Sequence, residues 1–398
     1  MSASEPEAIG ELRAGSRHFE VTELPAYEPS GEGEHCYVWI EKEGLTTDQA
    51  VNILGRAGKT SKRGIGFAGR KDRHGITRQW ISLQLADPAR LENFEHVDDN
   101  GRLHVLALSR HRNKLRTGHL AGNRFRIGLQ VHADHHQTLV KRVNHIATNG
   151  VANTFGAQRF GHKQSSLKIA RAWAGGDIPT AIAWCVDAEG HWQPGDPLPP
   201  GFRSGPTGPL LGSLRKHPDD FEKALKIAGD SFRKLIASAA QAAIFNAVWE
   251  ARQAAGRLHR LTTGEVALSE KGAPFTVTAE KLAQVNAEAA PGVLQAFATG
   301  PMPGQWQLGP SAEHIAEEQS WSAATGMQWD WFNEGQILAS PGLRRALVVP
   351  FLEAPAITAE ADELWLSFAL PRGAYATEVL EQIGITVPTD RSGLTRST

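Results

Sequence analysis

Between Cys36 and Leu85 the spacing of apolar residues changes from two to about 3.6 and back to two, so this stretch builds a strand, a helix and further strands in succession. Cys36, Val38 and Ile40 alternate with other residues, as on a half-buried strand. Thr47 reads as the N-cap of a helix whose Ala50, Ile53, Leu54 and Ala57 recur at helical spacing, with Gly58 as its stop. Gly64-Ile65-Gly66-Phe67-Ala68-Gly69 is then a glycine-punctuated strand, and Ile81, Leu83 and Leu85 alternate with Trp80, Ser82 and Gln84 on another. The polar segment from Arg70 to Arg78 therefore connects two strands. Strands are also expected at Leu103 to Leu108 and across Phe125, Ile127, Leu129 and Val131, and a helix on Leu139, Val143 and Ile146 closed by Asn149-Gly150. Strands and helices mix without a regular βαβ order and without an internal repeat, which points to an α+β protein.

At 398 residues the chain exceeds the roughly 250 to 300 residues at which single cores stop growing, so more than one domain is expected. The texture changes near Gln164, becoming rich in Ala and Trp, and no periodicity explains the Pro/Gly stretch from Pro194 to Gly212. Ser238 and Gln241 have the spacing of a capping box ahead of a long helix, Ala239 to Ala255, that stops at Gly256. Leu364, Leu366, Phe368 and Leu370 alternate as a late strand, followed by Pro371-Arg372-Gly373 and a final helix from about Thr377 to Ile385.

The formal net charge is -1, yet the charges are unevenly placed. Arg56, Lys59, Lys62, Arg63, Arg70, Lys71, Arg73 and Arg78 oppose only Asp72, and Arg110, Arg112, Lys114, Arg116, Arg124 and Arg126 form a second patch without an acid. Arg124 and Arg126 fall on the strand face opposite the apolar set, a face expected to be open to a phosphate backbone. Met1 to Gly10 is acidic and small, unlike a secretory signal, and no apolar run is long enough for a bilayer, so a cytoplasmic location is expected. Cys36 and Cys185 stand apart, as free thiols rather than a disulfide or zinc pair. Two decoys are set aside. Gly55-Arg56-Ala57-Gly58-Lys59-Thr60 ends like a phosphate-binding loop, but Ile53 occupies the place of the first glycine and the segment closes a helix instead of opening one. His132-Ala133-Asp134-His135-His136 reads as a surface turn before a helix, and no metal site is expected.

The segment Phe67-Ala68-Gly69-Arg70-Lys71-Asp72-Arg73-His74-Gly75-Ile76-Thr77-Arg78-Gln79-Trp80 holds one acid among many cations. Such surroundings favour the charged carboxylate that a nucleophile or base requires. On charge pattern alone a salt-bridged loop aspartate is the commoner case. The segment resembles the F-x-G-x-K-D motif of the tRNA pseudouridine synthase D family, in which that aspartate is catalytic. Asn153-Thr154-Phe155-Gly156-Ala157-Gln158-Arg159-Phe160-Gly161 is similar to the family's N-x-F-G-x-Q-R-F-G stretch, and Lys114-Leu115-Arg116-Thr117-Gly118-His119-Leu120-Ala121-Gly122-Asn123 to its K-L-R-x-G-x-L-x-G-N segment. Gly31-Glu32-Gly33-Glu34-His35, Ile244-Phe245-Asn246 and Leu370-Pro371-Arg372-Gly373-Ala374-Tyr375-Ala376-Thr377 match further motifs in the same order.

The resemblance implies a pseudouridine synthase fold: a mixed, mainly antiparallel sheet in a catalytic domain formed by residues 1–163 and 341–398, with a family-specific α+β domain inserted at 164–340. It implies a substrate cleft between the two, and conversion of uridine at position 13 of tRNA to pseudouridine without cofactor or metal. Asp72 is then the catalytic residue; attack on C1′, addition to the base and abstraction of a sugar proton all remain open for it. Arg13 stands where relatives often carry a lysine beside the aspartate, so the resemblance implies that it pairs with Asp72 and keeps it charged. Phe19, Phe155 and Tyr375 match pocket aromatics, where a ring face can hold a flipped base, and Asn153 a base-edge contact. On pattern alone the aromatics would be ordinary core. Lys71, Arg73, Lys114, Arg116, Gln158 and Arg159 are the implied RNA contacts. A non-catalytic RNA-binding or RNA-folding protein on this fold would keep the basic patches without needing Asp72. A monomer is expected, since the chain shows neither heptads nor a broad apolar stripe.

Overall fold

The computed structural model describes residues 6–187, 189–199, 207–288, 296–360 and 363–388. The chain separates into a compact unit of residues 152–348 and a second unit that draws on both flanks, residues 5–151 and 349–398. Residues 200–206 of the Pro194 to Gly212 stretch lie outside the described residues.

The first flank supplies β1 (Gly10–Leu12), β2 (Phe19–Pro25), β3 (His35–Glu43), α1 (Thr47–Ala57), β4 (Ile65–Phe67), β5 (Ile76–Gln84), β6 (Glu95–Asp98), β7 (Gly101–His111), β8 (Leu120–Val131) and α2 (His136–Asn149). The N-cap of α1 is Thr46 instead of Thr47, because Thr46 and Gln49 close a capping box that leaves the Thr47 hydroxyl free for other work. Gly58 ends the helix as expected and Lys59 follows at φ +52°, so the phosphate-loop lookalike does terminate a helix. Gly150, at φ +80°, closes α2. The histidine-rich segment before α2 forms a 3₁₀ turn with His132 against Asp134.

Residues 152–348 hold α3 (Ser165–Ala174), α4 (Ile178–Val186), α5 (Gly208–Leu214), α6 (Phe221–Ala254), β9 (Val266–Ser269), β10 (Pro274–Thr276), α7 (Ala279–Glu288), β11 (Ala296–Met302), α8 (Ala312–Ser322) and β12 (Leu343–Ala346). The strands form an antiparallel sheet in the order β10-β9-β11-β12. Its core gathers Phe232, Ile236, Ile244 and Phe245 of α6 with Phe155, Phe160 and Phe332. The expected capping box at Ser238 is corrected: Asp220 caps the helix, Gly229 breaks it at φ +82°, and Ser238 lies inside it, accepting a bond from the Arg159 guanidinium. Ala255 is the C-cap, and Gly256 takes φ +65°.

The second flank adds β13 (Glu353–Glu360), β14 (Glu363–Pro371), α9 (Ala376–Gln382) and β15 (Ile385–Thr386). These complete a mixed sheet in the order β13-β14-β8-β2-β5-β3-β7-β6, with β1, β15 and β4 at its sides. All pairings are antiparallel except β2 with β5 and β1 with β15. The final helix therefore stops short of Ile385, because Gly384 turns at φ +78° and Ile385 pairs with Gly10. Phe125, Ile127, Leu366 and Phe368 pack on α2 and α9, while Val38, Ile40, Ile81 and Leu83 pack on α1. This is the α+β fold expected from the sequence. Among the described residues no helix is long and apolar enough to cross a membrane.

Candidate active site

The loop from Ala68 to Gly75 joins β4 to β5 and carries Asp72. Its course is fixed by partners from several elements. Thr47 Oγ1 accepts from the Lys71 amide at 2.9 Å and donates to Gln79 Oε1 at 3.1 Å, and Gln79 Nε2 donates to the Gly69 carbonyl at 3.1 Å. Lys42 Nζ donates to the Asp72 carbonyl at 2.8 Å, and the Gly44 amide to the Arg73 carbonyl at 3.1 Å. Arg73 Nε returns a bond to the Gly44 carbonyl at 2.7 Å. The loop ends against β2: a Cβ on Gly75 would lie 2.4 Å from the Phe19 carbonyl oxygen, so only glycine fits there. A segment held at this many main-chain groups loses little further entropy when it meets a substrate.

Its charges divide into two layers. Below, Lys71 Nζ sits 3.0 Å from Glu23 Oε2, with the two side chains 3% and 1% exposed, and the Trp80 amide donates to Glu23 Oε1 at 3.2 Å. Burial pushes the Glu23 carboxyl up, against the pull of Lys71. Lys42 is fully enclosed, and burial pushes its ammonium down to about 8. Above, Asp72 and Arg73 are exposed, and among the described residues no cation pairs with the Asp72 carboxylate. The salt-bridged loop aspartate that charge pattern favoured is thus not what forms.

The expected pair between Arg13 and Asp72 is corrected. Arg13 Nε donates to the Leu129 carbonyl at 3.1 Å and its Nη1 lies 3.7 Å from Glu363, because β1 runs alongside β8 and carries the side chain there. Lys71 is corrected too: as the buried partner of Glu23 it offers no charge to a phosphate. Phe19 is buried on β2, tilted against Phe125 at 6.4 Å and touching Gly75, while Tyr375 is exposed at the start of α9. The Arg124 and Arg126 face is not open: Arg124 pairs with Glu353, and Arg126 with Glu20 and Glu360 over the Trp365 ring at 3.6 Å. Lys114 donates to the Arg63 carbonyl at 2.6 Å and Arg116 is exposed, neither with an acidic partner among the described residues.

In the other unit Asn153 is buried. Its Nδ2 donates to the Ala346 carbonyl at 2.8 Å, and its carbonyl accepts from Arg345 Nε at 2.9 Å. The Arg345 guanidinium also bonds Asn153 Oδ1 and lies 4.3 Å from the Phe155 ring centroid. Phe155 meets Phe245 edge-on at 5.6 Å, and both of its main-chain polar groups bond the Asn246 side chain. Arg159 holds Ser238, with its guanidinium 5.5 Å from the Phe155 ring, and Gln158 is exposed. Sequence reasoning missed Glu23, Lys42, Thr47 as a loop anchor, Gln79 and Arg345. The available signal was a polar residue in a strand period otherwise facing inward, as at Lys42 and Gln79.

Among the described residues no group of three or more His, Cys, Asp or Glu side chains is arranged to hold a metal. The family model of tRNA pseudouridine synthase D (TruD) matches residues 1–194 and 208–383. The chain is 37% identical over 402 residues to tRNA pseudouridine synthase D of Geobacter metallireducens, covering 96% of both chains, and 36% identical to that of Geobacter sulfurreducens at the same coverage. Its fold is similar to the crystal structure of a protein described as a tRNA pseudouridine synthase D from Methanosarcina mazei. There the TM-score is 0.73 and the identity 24%, over 96% of this chain and 95% of that one.

Proposed function

The chain belongs to the tRNA pseudouridine synthase D family and is a tRNA pseudouridine synthase; from that premise we propose that Asp72 is its single catalytic carboxylate and uridine 13 of tRNA its target. Isomerisation breaks the bond from C1′ to N1, turns the uracil and joins C1′ to C5; the C5 proton leaves and N1 gains one, so atoms balance without a cofactor. Attack on C1′, addition to the base and removal of a sugar proton all use the same ionised oxygen. The observation that supports Asp72 is that its carboxylate stands exposed, with no ion-pair partner among the described residues, on a loop whose main chain is hydrogen-bonded at Ala68, Gly69, Lys71, Asp72 and Arg73. Arg13, Phe19 and Tyr375 in one unit, and Asn153 and Phe155 in the other, are each proposed as active-site residues, with Arg13 acting away from the Asp72 carboxylate. The family-specific inserted domain is proposed at residues 164–340, within the compact unit of residues 152–348, and the enzyme as a cytoplasmic monomer. Mapping pseudouridine in tRNA from cells with and without this chain tests the target: position 13 should lose its pseudouridine when the chain is absent, and an unchanged position 13 overturns the assignment.

The non-catalytic RNA-binding alternative finds no favouring observation. For tRNA contact, Lys114, Arg116 and Arg73, and in the other unit Gln158 and Arg159, remain as proposed ligands, whereas the ion-paired Arg124 and Arg126 do not. Lys114→Ala and Arg116→Ala are each expected to make the slope of log K against log salt shallower by about 0.7 to 0.9, one phosphate contact apiece. Arg124→Ala should leave the slope unchanged. Filter binding of tRNA at several salt concentrations measures all three, and equal slopes throughout would remove Lys114 and Arg116 from the interface.

A further inference from the structure

Lys42 lies in the middle strands of the sheet, opposite Thr77 of β5 and Leu103 of β7, where its side chain is wholly removed from water. Its ammonium donates to two main-chain carbonyls, Leu45 at 2.7 Å and Asp72 at 2.8 Å. The charged groups that face it are the Asp72 carboxylate and the Lys71 ammonium, the latter already neutralised by Glu23. Among the described residues no carboxylate lies within ion-pair distance of Lys42.

Burying a cation without a carboxylate in contact costs stability, and an apolar side chain of similar length would suit this interior better. The cost is borne at the one place where the ammonium grips the main chain of the proposed catalytic residue. Two carbonyls converging on one ammonium also join the turn after β3 to the loop before β5, alongside the two Gly44–Arg73 bonds, and of these links only the ammonium grips residue 72 itself. We propose that Lys42 is the positioning residue of the reaction: it anchors the Asp72 main chain and sets a positive charge near the carboxylate, thereby fixing where the reacting oxygen stands. This rests on Asp72 being the catalytic residue. It also supplies the cationic support that Arg13, turned to Glu363, does not give.

The test is single-turnover pseudouridine formation in tRNA by the full chain, for wild type, Lys42→Met, Lys42→Gln and Asp72→Asn, across pH 6 to about 9.5. Lys42→Met should slow the step by about 100-fold, the cost of a misplacement near 1 Å, while tRNA affinity holds within a few-fold. The sign of the pH effect follows from which form positions the loop. The ammonium is present below its folded value of about 8, so the wild-type rate should fall as pH rises through that value. That fall should vanish in Lys42→Met, whereas titration of the uracil itself is common to both proteins. A merely structural role would lower the rate and leave the pH profile unchanged.

Lys42→Gln keeps a donor to one carbonyl without the charge, and it carries the same comparison should the Met variant not fold. A Lys42 variant that keeps the wild-type rate or the wild-type pH profile overturns the proposal. Asp72→Asn separates the two readings: if it is inactive while Lys42→Met is normal, only the positioning role fails, and if it is active, the catalytic assignment fails with it.

Discussion

Asp72→Asn is expected to lower the single-turnover rate of pseudouridine formation by about 10⁴-fold or more, with tRNA affinity changed by no more than a few-fold. The substitution keeps shape and volume and removes only the negative charge. The loop should therefore keep its course, since every anchor at its neighbours is a main-chain group or a side chain other than that of residue 72. Affinity should persist because phosphate contact rests on cations elsewhere, and the exposed carboxylate opposes an anionic substrate if it acts at all. A split of this kind, a lost rate with retained binding, is what a group used only in the chemical step produces. Rate measurement with excess enzyme and filter binding on the same preparation decide it. Activity persisting in the Asn variant would move the role to another residue.

The largest effect on stability is expected at Glu23. Glu23→Ala leaves the Lys71 ammonium enclosed without a counter-charge and the Trp80 amide without its acceptor. Removing one partner of a buried pair costs about 3 to 5 kcal/mol, far more than an exposed ion pair is worth. The same reasoning makes the pair itself replaceable. Glu23→Leu combined with Lys71→Met removes both charges together and should recover most of the loss. Thermal unfolding of Glu23→Leu, Lys71→Met and the double variant gives the coupling directly. If the singles fall by less than about 1 kcal/mol, the pair is a surface-like contact and the loop takes its fixed course from Thr47, Gln79 and Lys42 alone. A defect in catalysis should accompany the stability loss, because Lys71 directly precedes Asp72.

Arg124 and Arg345 are both arginines, yet one spends its charge on Glu353 at the sheet surface and the other on Asn153 and the Phe155 ring. Arg345 therefore holds the Asn153 to Phe155 motif in shape from within its own unit. Asn153 and Phe155 are placed by packing as much as by sequence: one amide is locked between Ala346 and Arg345, and one ring between Phe245 and a guanidinium.

The linear order of residues determined the elements and the family. Apolar periods of two and 3.6 located β3, α1, β5, β8, α2 and β14, since each buries one face whatever its partners are. Ordered motifs carried the identity of the chain, and Asp72 stood out as the one acid among cations. Caps were less legible: Thr46 and Thr47 are chemically equivalent, and only the competing use of the Thr47 hydroxyl by Lys71 and Gln79 separates them. The Ser238 spacing failed for the opposite reason, because a break at Gly229 and a bond from Arg159 absorbed the serine into a longer helix. Tertiary structure alone decided which charges meet. Sequence shows Lys71, Arg124 and Arg126 as free cations and Arg13 as a partner of Asp72, but β-pairing brings Glu23, Glu353, Glu20, Glu360 and Glu363 to them from strands far along the chain. An ion pair depends on distance in space, falling off over a few ångströms, and chain order carries no information about that distance until the sheet is assembled.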